Sequence, residues 1–491
     1  MKSEEIALEA DLVIIGSGGA GLTAAVAAAE KGAGHIIVLE KRAGLGGNSA
    51  RAWGIFAAES PAQKRSMIDC RRDDCFQIAM RYAHWSINPR LVRAFIDKSG
   101  DTIGWLEEKG LKFDCIPFYP NQIPTWHIPK GRGAKLIKVL TGECKKRGVE
   151  LLSGTPAKKI LTGSKGEVTG VLAASKEKEY KIITKSVIVA SGGYAGNKKL
   201  LKKYSPNYRD NMPCVGIPHA GDGLAMATDV GAETEGLGII QMGGPTTPDN
   251  VQLKLGTPPN TFRVRLMAFA LEPNTIWINK KGERFIDESV GFHHYESSNA
   301  AVRQPDNVTY TLFDSKMLQR MTDEGLILGM GLPEGARGNR LHGLDGALRA
   351  LVDKGLVKVS ESLEDMAECI GADSAVLKET MAEYNAACDQ GNDSIFVKDR
   401  KYLVPIRIAP YYAIKCHADF MNTIGGIKIN EHMEVLGKED NPIPGLYGAG
   451  VDVGGWQSDT YCAVLSGSAF GFAVNSGRIA GENSAGFVLA Q

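Results

Sequence analysis

Residues 11–49, DLVIIGSGGAGLTAAVAAAEKGAGHIIVLEKRAGLGGNS, decide how this chain folds. Residues 11–15 are a short apolar run, suited to a parallel strand buried on both faces. Gly16, Gly18 and Gly21 follow in GxGxxG spacing and open an alanine-rich stretch that predicts a helix through Lys31. In such a turn the first glycine permits the tight bend and the second lets the backbone approach a pyrophosphate. The third lets helix and strand pack closely, and the helix N-terminus faces the phosphate charge. A second apolar run, Ile36–Leu39, ends on Glu40, about 20 residues past the third glycine, where a carboxylate can bond ribose hydroxyls. Strand, glycines, helix, strand and acid in this order predict a dinucleotide-binding unit.

NAD and FAD domains share this opening, so the following residues matter. Gly44-Leu45-Gly46-Gly47-Asn48-Ser49 is a second glycine-rich loop directly after the acid. It suits an extended cofactor whose far half also needs close backbone approach.

Composition narrows the class. A chain of 491 residues exceeds one ordinary core, so two domains are expected. A net charge of +1, with no Lys/Arg stripe, argues against nucleic acid as a partner. The N-terminal MKSEEIALEAD has acids and no apolar core, so no signal peptide is expected. No apolar run approaches the roughly 18 residues of a membrane span. Nine cysteines stand singly, without CxxC, a haem-attachment CxxCH or an iron–sulfur run. That pattern predicts reduced thiols in the cytoplasm, and electrons exchanged with an external donor or acceptor such as NAD(P)H or a redox protein.

Further along, residues 62–111 predict helix, with apolar positions such as Val92, Phe95, Ile96, Ile103, Trp105 and Leu106 at helical spacing. The loop FYPNQIPTWHIPKGRG, residues 118–133, is too apolar for a plain spacer, so it either packs on a core or lines a binding cavity. A helix over 135–147, a strand over 149–152 and paired strands over 166–174 and 179–185 are expected. A buried strand over 187–190 then ends in Ser191-Gly192-Gly193. From about residue 235 to 420 the pattern changes to a strand at 277–279, a turn at 280–285, a strand at 311–314 and helices over 343–354, 363–370 and 374–389. Thr423-Ile424-Gly425-Gly426-Ile427, Pro444-Gly445-Leu446-Tyr447-Gly448-Ala449-Gly450 and a helix over 467–485 complete the chain.

Taken in order, these motifs resemble the FAD-binding type 2 flavoproteins, of the fumarate reductase and 3-ketosteroid dehydrogenase type. The resemblance rests on the two glycine loops, on Asn279-Lys280-Lys281-Gly282-Glu283-Arg284-Phe285 running to Glu288, and on the T-x-G-G and G-L-Y-G-A-G strands. It implies an α/β fold in which a Rossmann-like FAD-binding domain, residues 1–238 and 421–491, is interrupted by an α+β capping domain, residues 239–420. The cofactor implied is FAD. Its absence of a histidine in 44–51 predicts that the flavin is held non-covalently. The residues implied to contact it are Gly16, Gly18, Gly19, Ala20, Gly21, Glu40, Lys41, Gly46, Gly47, Asn48 and Ser49 in the opening unit. Ala157, Ala190, Ser191, Gly192, Asp222, Gly450, Asp452 and Ser466 are implied later in the chain, with no metal.

The cofactor motifs are intact, whereas the substrate motifs of fumarate reductases are not. Those enzymes resemble this chain at T-x-G-G but carry a carboxylate-gripping His just before it, where this chain has Asn422. Their second carboxylate-binding Arg aligns with Tyr461 or Val464, and their proton-donating Arg falls near Leu318, with Arg320 nearby. After Glu288 comes Phe292-His293-His294-Tyr295 rather than an Arg. A dicarboxylate needs paired cations, so such a substrate is not expected. Thr460-Tyr461 instead resembles the T-Y of 3-ketosteroid dehydrogenases, whose phenol bonds a ring ketone. Phe56–Ser60 (residues 56–60) and Tyr82-Ala83-His84-Trp85 resemble tetrahydrodaidzein reductases. Candidate catalytic residues are therefore Tyr461, Tyr119 and Tyr295, followed by His293, His294 and His417. The expected activity is hydride transfer between flavin N5 and an activated carbon of a hydrophobic enone-, flavonoid- or steroid-like substrate, favouring reduction. Ketosteroid-type dehydrogenation and a flavin carrier without turnover are the alternatives.

Overall fold

The computed structural model describes residues 4–118, 122–245, 261–329 and 336–491. Its centre is a six-stranded sheet in the order Glu434–Leu436, Pro442–Gly448, Ser186–Val189, Leu12–Ile15, Ile36–Leu39, Glu150–Leu152. All neighbours are parallel except the edge strand Glu434–Leu436. Leu12–Ile15, Ile36–Leu39 and Ser186–Val189 are buried at every position, which explains their continuous apolar sequence. The helix Gly19–Glu30 lies against the long C-terminal helix Ser468–Leu489 with almost no side chain between them. A Cβ at Gly477 would fall 2.2 Å from the carbonyl oxygen of Ala20, and one at Gly481 would fall 2.3 Å from that of Ala24. Glycine at i and i+4 therefore brings two backbones together.

A second sheet, Glu4–Glu9, Lys178–Ile183, Val168–Ala174, Ala157–Thr162, flanks the first. The expected helical stretch 62–111 is three helices, Pro61–Arg65, Arg72–Tyr82 and Pro89–Glu108. Ser60 and Gln63 form a capping box on the first, and Met67, His84 and Trp85 take positive φ in the connections. The loop expected over 118–133 contains a strand, Trp126–Pro129, paired with Ile55–Phe56 and Phe113–Ile116. Trp126 packs on a core, joining the apolar cluster of the cap, and Phe118 packs against the same cluster. Tyr119 lies outside the described residues.

The inserted segment builds a four-stranded antiparallel sheet, Ile276–Asn279, Thr309–Asp314, Tyr411–Cys416, Val357–Ser360. Its faces alternate along each strand. Ile276 and Ile278 meet the helices Leu363–Ile370 and Ser374–Gln390, whereas Trp277 and Phe313 meet Ser315–Asp323 and Leu344–Val352. The turn after Asn279 makes a single bridge, Ile278 to Arg284, and the partner strand is Thr309–Asp314. The chain leaves and rejoins the cofactor domain through two short antiparallel pairs, Thr234–Glu235 with Gly426–Ile427 and Ile240–Met242 with Phe420–Thr423. We propose residues 239 and 420 as the ends of the capping unit on this basis.

Glu288 anchors that unit. Its carboxylate, wholly buried, accepts two bonds from Arg284, both at 2.8 Å, one from Lys398 Nζ at 2.9 Å and one from the Trp277 N–H at 3.1 Å. Arg284 also donates to Asp393 at 2.7 Å. Burial alone would raise the Glu288 carboxyl, but the charges of Lys398 and Arg284 prevail and hold it below the usual carboxylate range. Stability from this group is present above the unfolded value of about 4.3 and is lost as pH falls through the lower folded value. Glu288→Gln leaves buried cations short of an anion and is expected to cost about 3–5 kcal/mol in denaturant unfolding. That deficit should shrink in acid; a variant as stable as the parent at neutral pH would refute the anchoring role.

Candidate active site

The two glycine loops brace each other. Gly18 and Gly46 form a parallel bridge, the Gly46 N–H donates to the Ser17 carbonyl at 3.0 Å, and the Gly19 N–H donates to Ser49 Oγ at 3.0 Å. A long cleft opens in front of them. Of the residues expected at the cofactor, Gly16, Gly18, Gly19, Ala20, Glu40, Lys41, Gly47, Asn48 and Ser49 line it. Ala157, Ala190, Ser191, Gly192, Asp222 and Gly450 line it as well. Four others stand behind its wall. Gly21 is pressed against the Gly16 carbonyl, and Gly46, at φ +106°, turns against Ile137. Ser466 Oγ donates to the Ala463 carbonyl at 2.9 Å.

Asp452 is the fourth. It is 1% exposed and accepts from the N–H groups of Gly192 and Gly193, both at 2.8 Å, and from Ser191 Oγ at 3.1 Å. Burial raises its carboxyl while these three bonds oppose the rise. Its work is to hold the Ser191–Gly193 turn (residues 191–193) against the closing strand. Ser191 Oγ in turn accepts from the Gly223 N–H at 3.1 Å, fixing the start of the helix Asp222–Asp229.

The cleft suits an extended dinucleotide. The N-cap residue Gly18 brings no capping side chain to the helix Gly19–Glu30, so beyond the Gly19 N–H, which Ser49 takes, first-turn N–H groups stay available to a phosphate. Gly18 lines the cleft, and a Cβ there would meet no protein atom within 4 Å; backbone can therefore approach a ligand directly. Glu40 is oriented by Ser17, whose N–H and hydroxyl donate to one carboxylate oxygen at 3.1 and 2.5 Å, and by the Arg42 N–H, which donates to the other at 2.8 Å. Lys41 and Asp222 pair at 2.7 Å on the rim, half-exposed. His219 also lines the cleft, and burial lowers its imidazole pKa. The run Pro218-His219-Ala220-Gly221-Asp222 carried that signal in its glycine turn, yet only Asp222 was expected from it.

A polar chain leads away from the cleft. The Ile217 N–H donates to Asn48 Oδ1 at 2.6 Å, and Asn48 Nδ2 donates to Asn422 Oδ1 at 2.5 Å. Asn422 Nδ2 donates to Gln241 Oε1 at 3.0 Å, and Gln241 Nε2 donates to the Tyr295 hydroxyl oxygen at 3.2 Å. The Tyr295 ring rests on Tyr461, with centroids 4.6 Å apart. Two of the expected tyrosines are thus neighbours. The Tyr461 oxygen accepts from the Ala469 N–H at 2.7 Å, in the first turn of the C-terminal helix. Burial raises both phenols above their ordinary value. One turn on from Tyr295, Asn299 Nδ2 donates to Thr460 Oγ1 at 3.1 Å.

The other candidates are spread more widely. His293 is part-exposed, 3.9 Å from Glu296. His294 begins the helix His294–Val302. His417 is mostly buried, its Nε2 has no partner among the described residues, and burial pushes its pKa down to about 4. Arg320 lies on the cap surface, donating to Glu324 at 2.7 Å. Gln241, which no sequence motif marked, joins the site through its strand's pairing with Phe420–Thr423.

Comparison with known proteins agrees with this geometry. A family model described as an FAD binding domain matches residues 11–462. Vinyl phenol reductase of Lactiplantibacillus plantarum is 31% identical over 98% of this chain and 97% of that protein. The chain superposes on the open conformation of a flavocytochrome c3 fumarate reductase with a TM-score of 0.75 and 25% identity, over 98% of this chain and 79% of that one. A 3-ketosteroid-Δ4-(5α)-dehydrogenase from Rhodococcus jostii RHA1 shares the fold, with a TM-score of 0.74 and 21% identity over 97% of each chain. A cleft built for a dinucleotide and a family match spanning most of the chain have one consequence: the chain belongs to the FAD binding domain family and is an FAD-dependent oxidoreductase.

Proposed function

We propose that this enzyme reduces an activated carbon–carbon double bond in a hydrophobic ring compound that is not a dicarboxylate. One observation carries the reading: where fumarate reductases carry carboxylate-gripping cations, this chain has Asn422 and Tyr461, joined to Gln241 and Tyr295 by neutral hydrogen bonds and a ring contact. A dicarboxylate brought there would lose its hydration without an Arg fork to replace it. A phenol-rich patch suits an aromatic or enone-like ring. The likeness to vinyl phenol reductase, along its whole length, points the same way.

FAD, when bound, supplies the electron pair and one of the two hydrogens that saturating the bond requires. The chain's part is to hold the cofactor with the residues of the cleft, to exclude water beneath the cap, and to deliver the second hydrogen as a proton. Tyr295 is the better placed donor. Its oxygen accepts from Gln241, and its own proton has no acceptor among the described residues. The electrons return from an external reductant, NAD(P)H or a redox protein. A cytoplasmic setting fits nine free cysteines, and no helix among the described residues is long and apolar enough to cross a membrane. Ketosteroid-type dehydrogenation is the second reading, supported by Thr460-Tyr461, whose phenol oxygen accepts a helix N-terminal N–H that opposes part of the rise burial imposes on it.

The decisive experiment is anaerobic stopped-flow of the dithionite-reduced protein against vinyl phenols, enones, flavonoids and steroids, with fumarate as control. Rapid flavin reoxidation by one of the ring alkenes is expected. Turnover of fumarate at rates usual for enzymes, about 1–1000 per second, would overturn the reading. Dehydrogenation of a saturated ketosteroid by oxidised enzyme, without alkene reduction, would establish the second one. Acid precipitation should release all the flavin to the supernatant, and Gly18→Val should abolish its binding, because a side chain there blocks the pyrophosphate approach. Yellow colour retained in the pellet would show a covalent bond. Tyr295→Phe should keep FAD and slow turnover at least about tenfold, more than Tyr461→Phe does; the reverse order would make Tyr461 the donor. Arg320→Gln should leave turnover within about twofold, since an exposed ion pair contributes little.

A further inference from the structure

We propose that Asn422 and Gln241 are positioning residues that fix the direction of the Tyr295 hydroxyl, so that its proton is presented to the substrate. The inference rests on the double-bond reduction proposed above. It comes from the polarity of the amide chain. An amide side chain can turn over and exchange its donor for its acceptor, so a run of amides has two possible directions. This run begins on the backbone N–H of Ile217, which only donates. Asn48 must therefore offer its oxygen there and its nitrogen to Asn422. Asn422 is then forced to pass its nitrogen to Gln241, and Gln241 its nitrogen to Tyr295. A backbone group that cannot reverse thus decides, three side chains away, that the Tyr295 oxygen is an acceptor on this side.

Two consequences follow for the reaction. With one lone pair of the oxygen occupied by the Gln241 N–H, the hydroxyl proton points away from the chain. When the Tyr295 O–H breaks and the proton joins the substrate's second carbon or its conjugated oxygen, the Gln241 N–H already faces the phenolate that remains. Water restores the proton between turnovers, and the external reductant restores the electron pair. The chain starts on Asn48, which lines the cofactor cleft, so cofactor loop and proton donor share one hydrogen-bonded line. Burial of Tyr295 and Gln241, at 6% exposure each, keeps solvent from substituting for the link between them.

Near-isosteric acids test the direction without emptying the site. Asp at 422 cannot donate to Gln241, so Gln241 turns over and accepts the Tyr295 proton. Glu at 241 accepts that proton directly. Asn422→Asp and Gln241→Glu, each prepared as FAD-loaded protein, are expected to lower kcat at least about tenfold while KM stays within about threefold. In a Tyr295→Phe background both substitutions should be nearly silent, because the phenol they act through is gone. A readout apart from activity is the fluorine resonance of 3-fluorotyrosine placed at position 295. It should shift in Asn422→Asp, although that residue does not touch the phenol, and stay put in Arg320→Gln. An unmoved resonance in Asn422→Asp, or full additivity with Tyr295→Phe, overturns the proposal. If the parent enzyme reduces no ring alkene, the functional reading fails, while the fluorine shift still decides the hydroxyl's direction.

Discussion

At Gly16 the chain runs so close to Ala190 that a Cβ would lie 2.2 Å from the Ala190 carbonyl oxygen, and at Gly21 one would lie 1.9 Å from the carbonyl of Gly16. Strand, turn and helix meet there backbone to backbone. Packing at interior density leaves no room for rearrangement around such a contact. Everything that forms the cleft is referred to it. The strand Ser186–Val189 pairs with Leu12–Ile15 and carries the Ser191–Gly193 turn (residues 191–193), and the parallel strand Pro442–Gly448 carries Gly450 and Asp452. Three chain segments remote in sequence thus end at one edge of one sheet, which is where α/β sheets bind their ligands.

Around that floor the chain handles buried charge in two ways. A buried cation requires an anion or a ligand to compensate its lost hydration. Glu288, Arg284, Asp393 and Lys398 show how this chain manages that inside the cap, with two charges of each sign in mutual contact. At the proposed substrate side the same problem is avoided by amides and a phenol linked to one another, Asn48, Asn422, Gln241 and Tyr295. A site of that kind binds a ring through contact area and one or two directed hydrogen bonds, and imposes no penalty when it closes over an uncharged ligand.

Most of the residues that line the cleft were legible in the sequence because the requirements of such a turn are local. A tight turn, a close approach and a ribose acid each demand a residue type at a set spacing, and residues 11–49 and 190–193 supply them. Asp452 was expected at the cofactor, and its carboxylate is bonded to the turn at residues 191–193; sequence does not distinguish a ligand contact from a carboxylate that shapes such a turn. The three helices within 61–108 were blurred into one, because helical periodicity persists across short connections where single residues take positive φ. Gln241 was invisible. Its strand is three residues long, and only the return of Phe420–Thr423 after nearly 180 residues sets it beside Asn422.

Tyr295 belongs to the inserted segment by sequence and to the cofactor domain by packing. Tyr295, Ala301 and Val302 join the apolar cluster built around the central sheet, whereas the cap sheet packs into two other clusters, one of which also takes in Trp126 from outside the inserted segment. A lid that opens for the substrate moves as the unit that shares a core. On this division we propose that the cap sheet and its helices swing while the helix His294–Val302 stays on the floor, tied to it by the Tyr295–Tyr461 contact and by the Asn299 bond to Thr460. The geometry of Tyr295, the proposed proton donor, relative to the cleft is then independent of how far the lid is open. Closure is left with a different task, the exclusion of water above a donor already in place.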